Sequence, residues 1–301
     1  YKDHNLKLVL QGHLHYLEDI FVDGIHFVTG GAVSGAWWTG PNRGVEEGYL
    51  MVHVEGEEFI VTIKYFGRPK DESSRFVPFV DHLGIFFRSA SNVFVLSEPD
   101  GSHYRFPCND HSRDKAFFRI SITVPEEFDA IANGNLISSN VVDGMQKYVW
   151  QHDYPMSPYL AAFAVGYYEP IEIESPSGFK TVSYVMADTT PGFETEMHDV
   201  AEALDWFSEI LGPYPYDTFG FVIVDGFGSS LETQSMVVLD VNMISEFVMI
   251  HELVHMWIGD WVGLDSWGEM WRNEGVTNYF TLLWLYRDDP DLVMNFMEGF
   301  E

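Results

Sequence analysis

His251 and His255 stand four residues apart inside an otherwise apolar run, with Phe247-Val248-Met249-Ile250 before them and Met256-Trp257-Ile258 after. This spacing constrains the fold of the 301-residue chain more than any other feature. On a helix, residues four apart share a face. A helix is therefore predicted over about 245–259, and another over about 270–287. An earlier helix is predicted over 194–211, where Val200, Ala203, Leu204, Phe207 and Leu211 fall on one face. Thr190-Pro191 supplies its N-cap and first turn, and Gly212-Pro213 stops it.

The texture before residue 190 is different. Residues 1 to about 185 read mostly as strands. The β-rich runs 45–54 and 58–65 flank Glu55-Gly56-Glu57, a predicted hairpin. Residues 117–124 form another strand, ended by Pro125, and further strands are predicted over 92–97, 146–151, 160–168 and 180–186. Beyond the first helix, 219–224 and 235–240 also read as strands. Strands first, then mixed elements, predicts an α+β catalytic domain behind a β-rich region.

The length allows two or three domains with real cores. There are 46 acidic and 16 basic residues, a net charge of −30. This excludes nucleic acid as a partner, because a nucleic-acid binder needs a basic face. The excess reads as a solvated acidic surface, and an acidic cleft that draws in an ammonium group is compatible with it. The single cysteine, Cys108, allows neither an internal disulfide nor a thiolate zinc site. No run of 18 apolar residues is present, so no membrane span is expected. The start, Tyr1-Lys2-Asp3-His4, has neither an initiator Met nor a signal-peptide pattern and reads as a cut end, which leaves localisation unread apart from a suggestion of export.

Two imidazoles on one helix face can bind one metal ion. Glu252, beside them, is placed to reach a metal-bound water rather than the metal. Catalytic zinc takes three protein ligands and keeps a fourth position open. Glu274, on the next predicted helix and separated from His255 by residues 256–273, completes a His, His, Glu set. The expected chemistry is hydrolysis of a peptide bond by a zinc-activated water, with Glu252 as general base.

At this point a resemblance appears. His251-Glu252-Leu253-Val254-His255 and, downstream, Trp271-Arg272-Asn273-Glu274-Gly275 with Tyr279-Phe280 are similar to the membrane alanyl aminopeptidase family of gluzincins. The likeness extends backward through Ser97-Glu98-Pro99-Asp100-Gly101, Phe106-Pro107-Cys108-Asn109-Asp110, Asp114-Lys115-Ala116, Ala132-Asn133-Gly134-Asn135-Leu136 and Met156-Ser157-Pro158-Tyr159-Leu160. It covers about 60–301. It implies one zinc ion and a peptide substrate with a free N-terminus. The family holds that terminus with a Gly-Ala-Met-Glu-Asn strand. Here the matching stretch is Ser229-Ser230-Leu231-Glu232-Thr233, in which only Glu232 is retained. A carboxylate is the part that pairs with an ammonium. Glu98 resembles a second amine-binding position. The tyrosine that the resemblance implies for the tetrahedral intermediate falls past Glu301, and Tyr279 and Tyr286 read as packing residues.

The first sixty residues resemble something else. Gly12-His13-Leu14-His15 after Leu8-Val9-Leu10, followed by Gly30-Gly31-Ala32-Val33-Ser34-Gly35-Ala36-Trp37-Trp38, is similar to the C-terminal part of calcineurin-like metallophosphoesterases. The expected organisation is a phosphoesterase remnant over 1–60, an incomplete aminopeptidase β domain over 61–187, and the front half of a thermolysin-like zinc peptidase domain over 188–301. The alternatives to a working aminopeptidase are a non-catalytic zinc-binding fragment and phosphoester hydrolysis at His13 and His15.

Overall fold

The computed structural model describes residues 8–11, 18–22, 25–29, 49–55, 58–64, 73–74, 82–186, 193–291 and 293–294. The chain forms two compact units, Tyr1–Ile85 with Asp100–Asp110, and Phe86–Pro99 with His111–Glu301. In the first, β1 (Leu8–Gln11), β2 (Glu18–Val22) and β3 (Ile25–Thr29) form a sheet of order β1-β3-β2, with β1 parallel and β2 antiparallel to β3. Strands β4 (Tyr49–Glu55) and β5 (Glu58–Lys64) pair antiparallel with Glu55 opposite Glu58, the expected hairpin. His13, His15 and the glycine-tryptophan run of 30–38 lie outside the described residues.

From Gly84 onward the strands are β6 (Gly84–Ser89), β7 (Asn92–Leu96), β8 (Ala116–Pro125), β9 (Asp129–Ala132), β10 (Asn135–Val142), β11 (Met145–Met156) and β12 (Phe163–Gly166). They make one sheet of order β6-β7-β12-β9 and another of order β10-β11-β8. The strand expected over 160–168 begins later, because Pro158–Leu160 closes a 3-10 turn and β12 starts only at Phe163. Strand β10 was not legible, since exposed apolar and polar residues follow one another in it without alternation.

The next layer is a five-stranded sheet. Strands β13 (Tyr168–Glu174) and β14 (Lys180–Met186) lead into α1 (Phe193–Leu211), and β15 (Phe221–Val224), β16 (Ser230–Leu231) and β17 (Val237–Asp240) follow. The order is β13-β14-β15-β17-β16, with β14, β15 and β17 parallel to one another. Strands β15 and β17 are buried at every residue, as expected of parallel strands covered on both faces. Helices α2 (Glu246–His255) and α3 (Met270–Asp288) complete the layer.

Helix α1 lays Val200, Ala203, Leu204 and Phe207 into a core shared with Phe221, Ile223, Val237 and Leu239 of the sheet and Met249, Ile250, Leu253 and Val254 of α2. Each large side chain buried there contributes about 1.5–3 kcal/mol. This core fixes α2 from behind and leaves its histidine face toward α3. Tyr279 and Tyr286 are not packing residues in the described structure. Both are exposed, because no described element covers that face of α3. Among the described residues no helix is long and apolar enough to cross a membrane.

Candidate metal centre

Helix α2 begins at Ser245, whose Oγ accepts from Val248 N at 3.4 Å. Its apolar stripe faces the core, so His251, Glu252 and His255 are held in one orientation by packing. The helix ends after His255 in tight turns that bring the chain through Gly259 (φ +114°). Within those turns His255 Nδ1 donates to Ile258 O at 3.1 Å, with Thr277 Oγ1 3.3 Å away. A proton on Nδ1 leaves Nε2 with a lone pair for a metal ion.

His255 Nε2 lies 2.9 Å from His251 Nε2. Glu274 of α3 approaches both, with Oε2 3.3 Å from His251 Nε2 and Oε1 3.7 Å from His255 Nε2. Donor atoms about 2.0–2.1 Å from a tetrahedral zinc are roughly 3.3 Å apart, so this triangle fits such an ion. The electrostatics also favour a cation. Burial alone would lower the His251 pKa, but the Glu274 hydrogen bond and the charges of Glu252 and Glu274 outweigh it and raise it above the ordinary imidazole value. Burial works against the Glu274 carboxylate as well, yet its contacts with His251 and His255 hold its pKa below the usual carboxylate range. Thus the structure brings together the three residues that the spacing proposed as ligands, and they could hold a metal ion.

Glu252 is buried beside them. Burial raises its pKa, and His255, His251 and the Ser230 hydroxyl only partly offset this. Ser230 Oγ donates to Glu252 Oε1 at 2.5 Å, while Oε2 has no hydrogen-bond partner among the described residues.

The other predicted positions line the same cleft of about 280 Å³. Glu232 follows β16 and is 4% exposed, and Glu98 follows β7. Carboxylate oxygens of Glu98, Glu232 and Glu274 all lie within 4.8 Å of one another. Burial first, then the charges of Glu232 and Glu274, pushes the Glu98 pKa far above the usual range. Such a cluster is relieved by an incoming cation.

Sequence reasoning missed the groups that hold these carboxylates. Asn273 Nδ2 donates to Glu232 Oε1 at 3.0 Å. Asn133 is buried and works on three partners at once: its Nδ2 donates to Gln234 O (2.8 Å) and Leu160 O (3.1 Å), and its Oδ1 accepts from Ala162 N (2.7 Å). The turn after Glu232 is further pinned by Gly134 N, which donates to Ser235 Oγ at 3.2 Å. Ser235 takes a left-handed φ of +65° there. Two of the signature stretches, 132–136 and 156–160, thereby gain a physical role as a latch on the turn that follows Glu232. A usable signal did exist for Ser230, because strand alternation places it on the same side as Glu232.

The chain matches the Peptidase M1 N-terminal domain over residues 57–160 and the Peptidase family M1 domain over residues 195–298. Human glutamyl aminopeptidase is 28% identical over 221 residues, covering 68% of this chain and 23% of the relative. The puromycin-sensitive aminopeptidase of Caenorhabditis elegans is 27% identical, covering 68% of this chain and 24% of the relative. Among solved structures, the M1 zinc metallopeptidase from Deinococcus radiodurans superposes with a TM-score of 0.69 at 27% identity, over 76% of this chain and 53% of that one. A mutant of that metallopeptidase bound to a Tyr-Ser-Ala substrate gives a TM-score of 0.65 at 28% identity, over 78% and 54% of the two chains. The chain thus spans about a quarter of the length of these curated relatives and about half of the solved ones.

Proposed function

Because the chain belongs to the M1 peptidase family, we propose that it removes the N-terminal residue of peptides, using one zinc ion held by His251, His255 and Glu274. The observation that carries this reading is the convergence of the two Nε2 atoms and the Glu274 carboxylate beside Glu252. When bound, zinc polarises a carbonyl oxygen and brings the pKa of its water to about 7. Glu252 is the general base. It takes a proton from the attacking water and passes it to the leaving nitrogen as the C–N bond breaks. Glu232 and Glu98 bind the substrate ammonium at the end of the cleft next to Glu274, which sets the scissile bond one residue from the free terminus. Asn273 and the Asn133 latch orient Glu232 for this task.

The domain scheme goes with this reading: a β domain over 61–187 and a catalytic domain over 188–301. The two family matches, 57–160 and 195–298, support it. A second reading concerns residues 1–60. It rests on the sequence alone, on the likeness of Gly12-His13-Leu14-His15 to a metallophosphoesterase motif. It predicts manganese-dependent hydrolysis of nitrophenyl phosphate, lost in His13→Ala and His15→Ala. Absence of that activity removes it.

The test of the main reading is zinc content by mass spectrometry together with hydrolysis of aminoacyl anilides. One zinc per chain, lost in His255→Ala, and turnover abolished in Glu252→Gln with zinc retained are expected. Glu232→Ala is expected to lose the preference for free N-termini. Zinc without turnover supports the non-catalytic alternative, and absence of zinc overturns the reading.

A further inference from the structure

Ser230 has a fixed main chain. It pairs with Leu239 across β16 and β17, and Leu231 after it pairs with Val238. Ser229 before it accepts from Asp240 N at 3.0 Å, and the Asp240 carboxylate accepts from Phe227 N and Gly228 N at 2.7 and 2.8 Å. From this platform the Ser230 side chain enters the cleft on the side of Glu232.

Its hydroxyl meets Glu252 Oε1 at 2.5 Å, the short end of the range for a hydroxyl donating to a carboxylate. Glu252 Oε2 is buried, with no hydrogen-bond partner among the described residues. The two oxygens of one carboxylate are thus inequivalent. The terminal torsion of a glutamate is broad and roughly two-fold, so its helix alone does not choose which oxygen faces the cleft. A donor fixed on a different element does choose.

We propose that Ser230 is a positioning residue for the general base: its hydroxyl anchors Glu252 Oε1, so that Oε2 is the oxygen that takes and returns the proton. The proposal rests on the reading of Glu252 as the base. Ser230 acts through Glu252, by holding Oε1 and so leaving the other oxygen of the carboxylate for the proton.

The test has two arms on the zinc-loaded full chain. In protein labelled with 13C at the glutamate carboxyl, the Glu252 resonance is identified by its loss in Glu252→Gln. Ser230→Ala is expected to shift that resonance and Ser230→Thr, which keeps a hydroxyl, to restore it. An unmoved resonance overturns the hydrogen bond. In hydrolysis of aminoacyl anilides, Ser230→Ala is expected to lower kcat roughly tenfold at unchanged KM, with Ser230→Thr recovering most of it. Equal kcat in Ser230→Ala, with Glu252→Gln inactive, overturns the positioning role and leaves the peptidase reading standing. A wild-type chain without turnover overturns that reading, and the proposal with it. Where Ser230→Ala alters folding, Ser230→Gly supplies the second hydroxyl-free variant.

Discussion

Asn273 Nδ2 donates to Glu232 Oε1 across 3.0 Å, and both side chains are buried. The bond ties α3, which carries Glu274, to the segment after β16 that carries Glu232. One residue of α3 thereby stands in the candidate metal centre while its neighbour holds Glu232, the proposed amine anchor.

Asn273→Ala is accordingly expected to raise KM for aminoacyl anilides about tenfold while leaving zinc content intact. Asn273→Asp sets a carboxylate against Glu232 and is expected to be worse. Steady-state kinetics with parallel metal analysis check this, and an unchanged KM in both variants contradicts it.

Gly259 is expected to be intolerant of any side chain. Its φ of +114° is one that L residues rarely adopt, and an added Cβ would stand 1.9 Å from Asn273 Oδ1. Gly259→Ala should cost about 2–4 kcal/mol. Thermal unfolding would then show Tm lowered by roughly 5–10 °C. A Tm within a degree of wild type would mean that the turn after α2 relaxes freely.

His152 carries a pH dependence. Burial lowers its pKa to about 4, more than Asp153 and Asp217 can offset. Its Nε2 lies 2.8 Å from Gln234 Nε2, which also faces Pro155 O at 3.3 Å, so the amide donates and the imidazole accepts. The unfolded chain binds the proton near pH 6.5 and the native one only near 4, so stability falls as pH drops through that window. The loss reaches up to about 3 kcal/mol. Chemical denaturation from pH 7 to 4 should give a steeper decline in wild type than in His152→Gln, and parallel curves would refute the assignment.

Asp240 has the same sign at lower pH. Burial raises its carboxyl pKa, but hydrogen bonds from Gly228, Asn242 and Phe227 bring it below the usual value. The stabilisation is therefore present above about pH 4 and is lost as pH falls through the lowered native pKa. Asp240→Asn is expected to cost about 1–3 kcal/mol at pH 7, with the gap to wild type narrowing in acid. Denaturation at pH 7 and pH 3 measures both parts.

His251, Glu252 and His255 were legible in the sequence because their relation is local. The period of one helix fixes it, and the apolar residues between them announce the buried face. The three helices and several strands were legible for the same reason, whereas β10, where both faces mix polar and apolar residues, and β6, β9 and β13 were not among the expected strands. Glu274 could be proposed from spacing, but its approach to His251 depends on how the turns at 256–269 return the chain to α2. Only packing of α3 against α2 decides that. Ser230 on Glu252, Asn273 on Glu232 and Asn133 on Gln234 likewise join residues 22, 41 and 101 positions apart. Which groups could carry the chemistry depends on residue type and local period, and both are written in the chain itself. The tertiary structure alone decided which oxygen and which nitrogen face each other, because distances between elements are set by the core that presses them together.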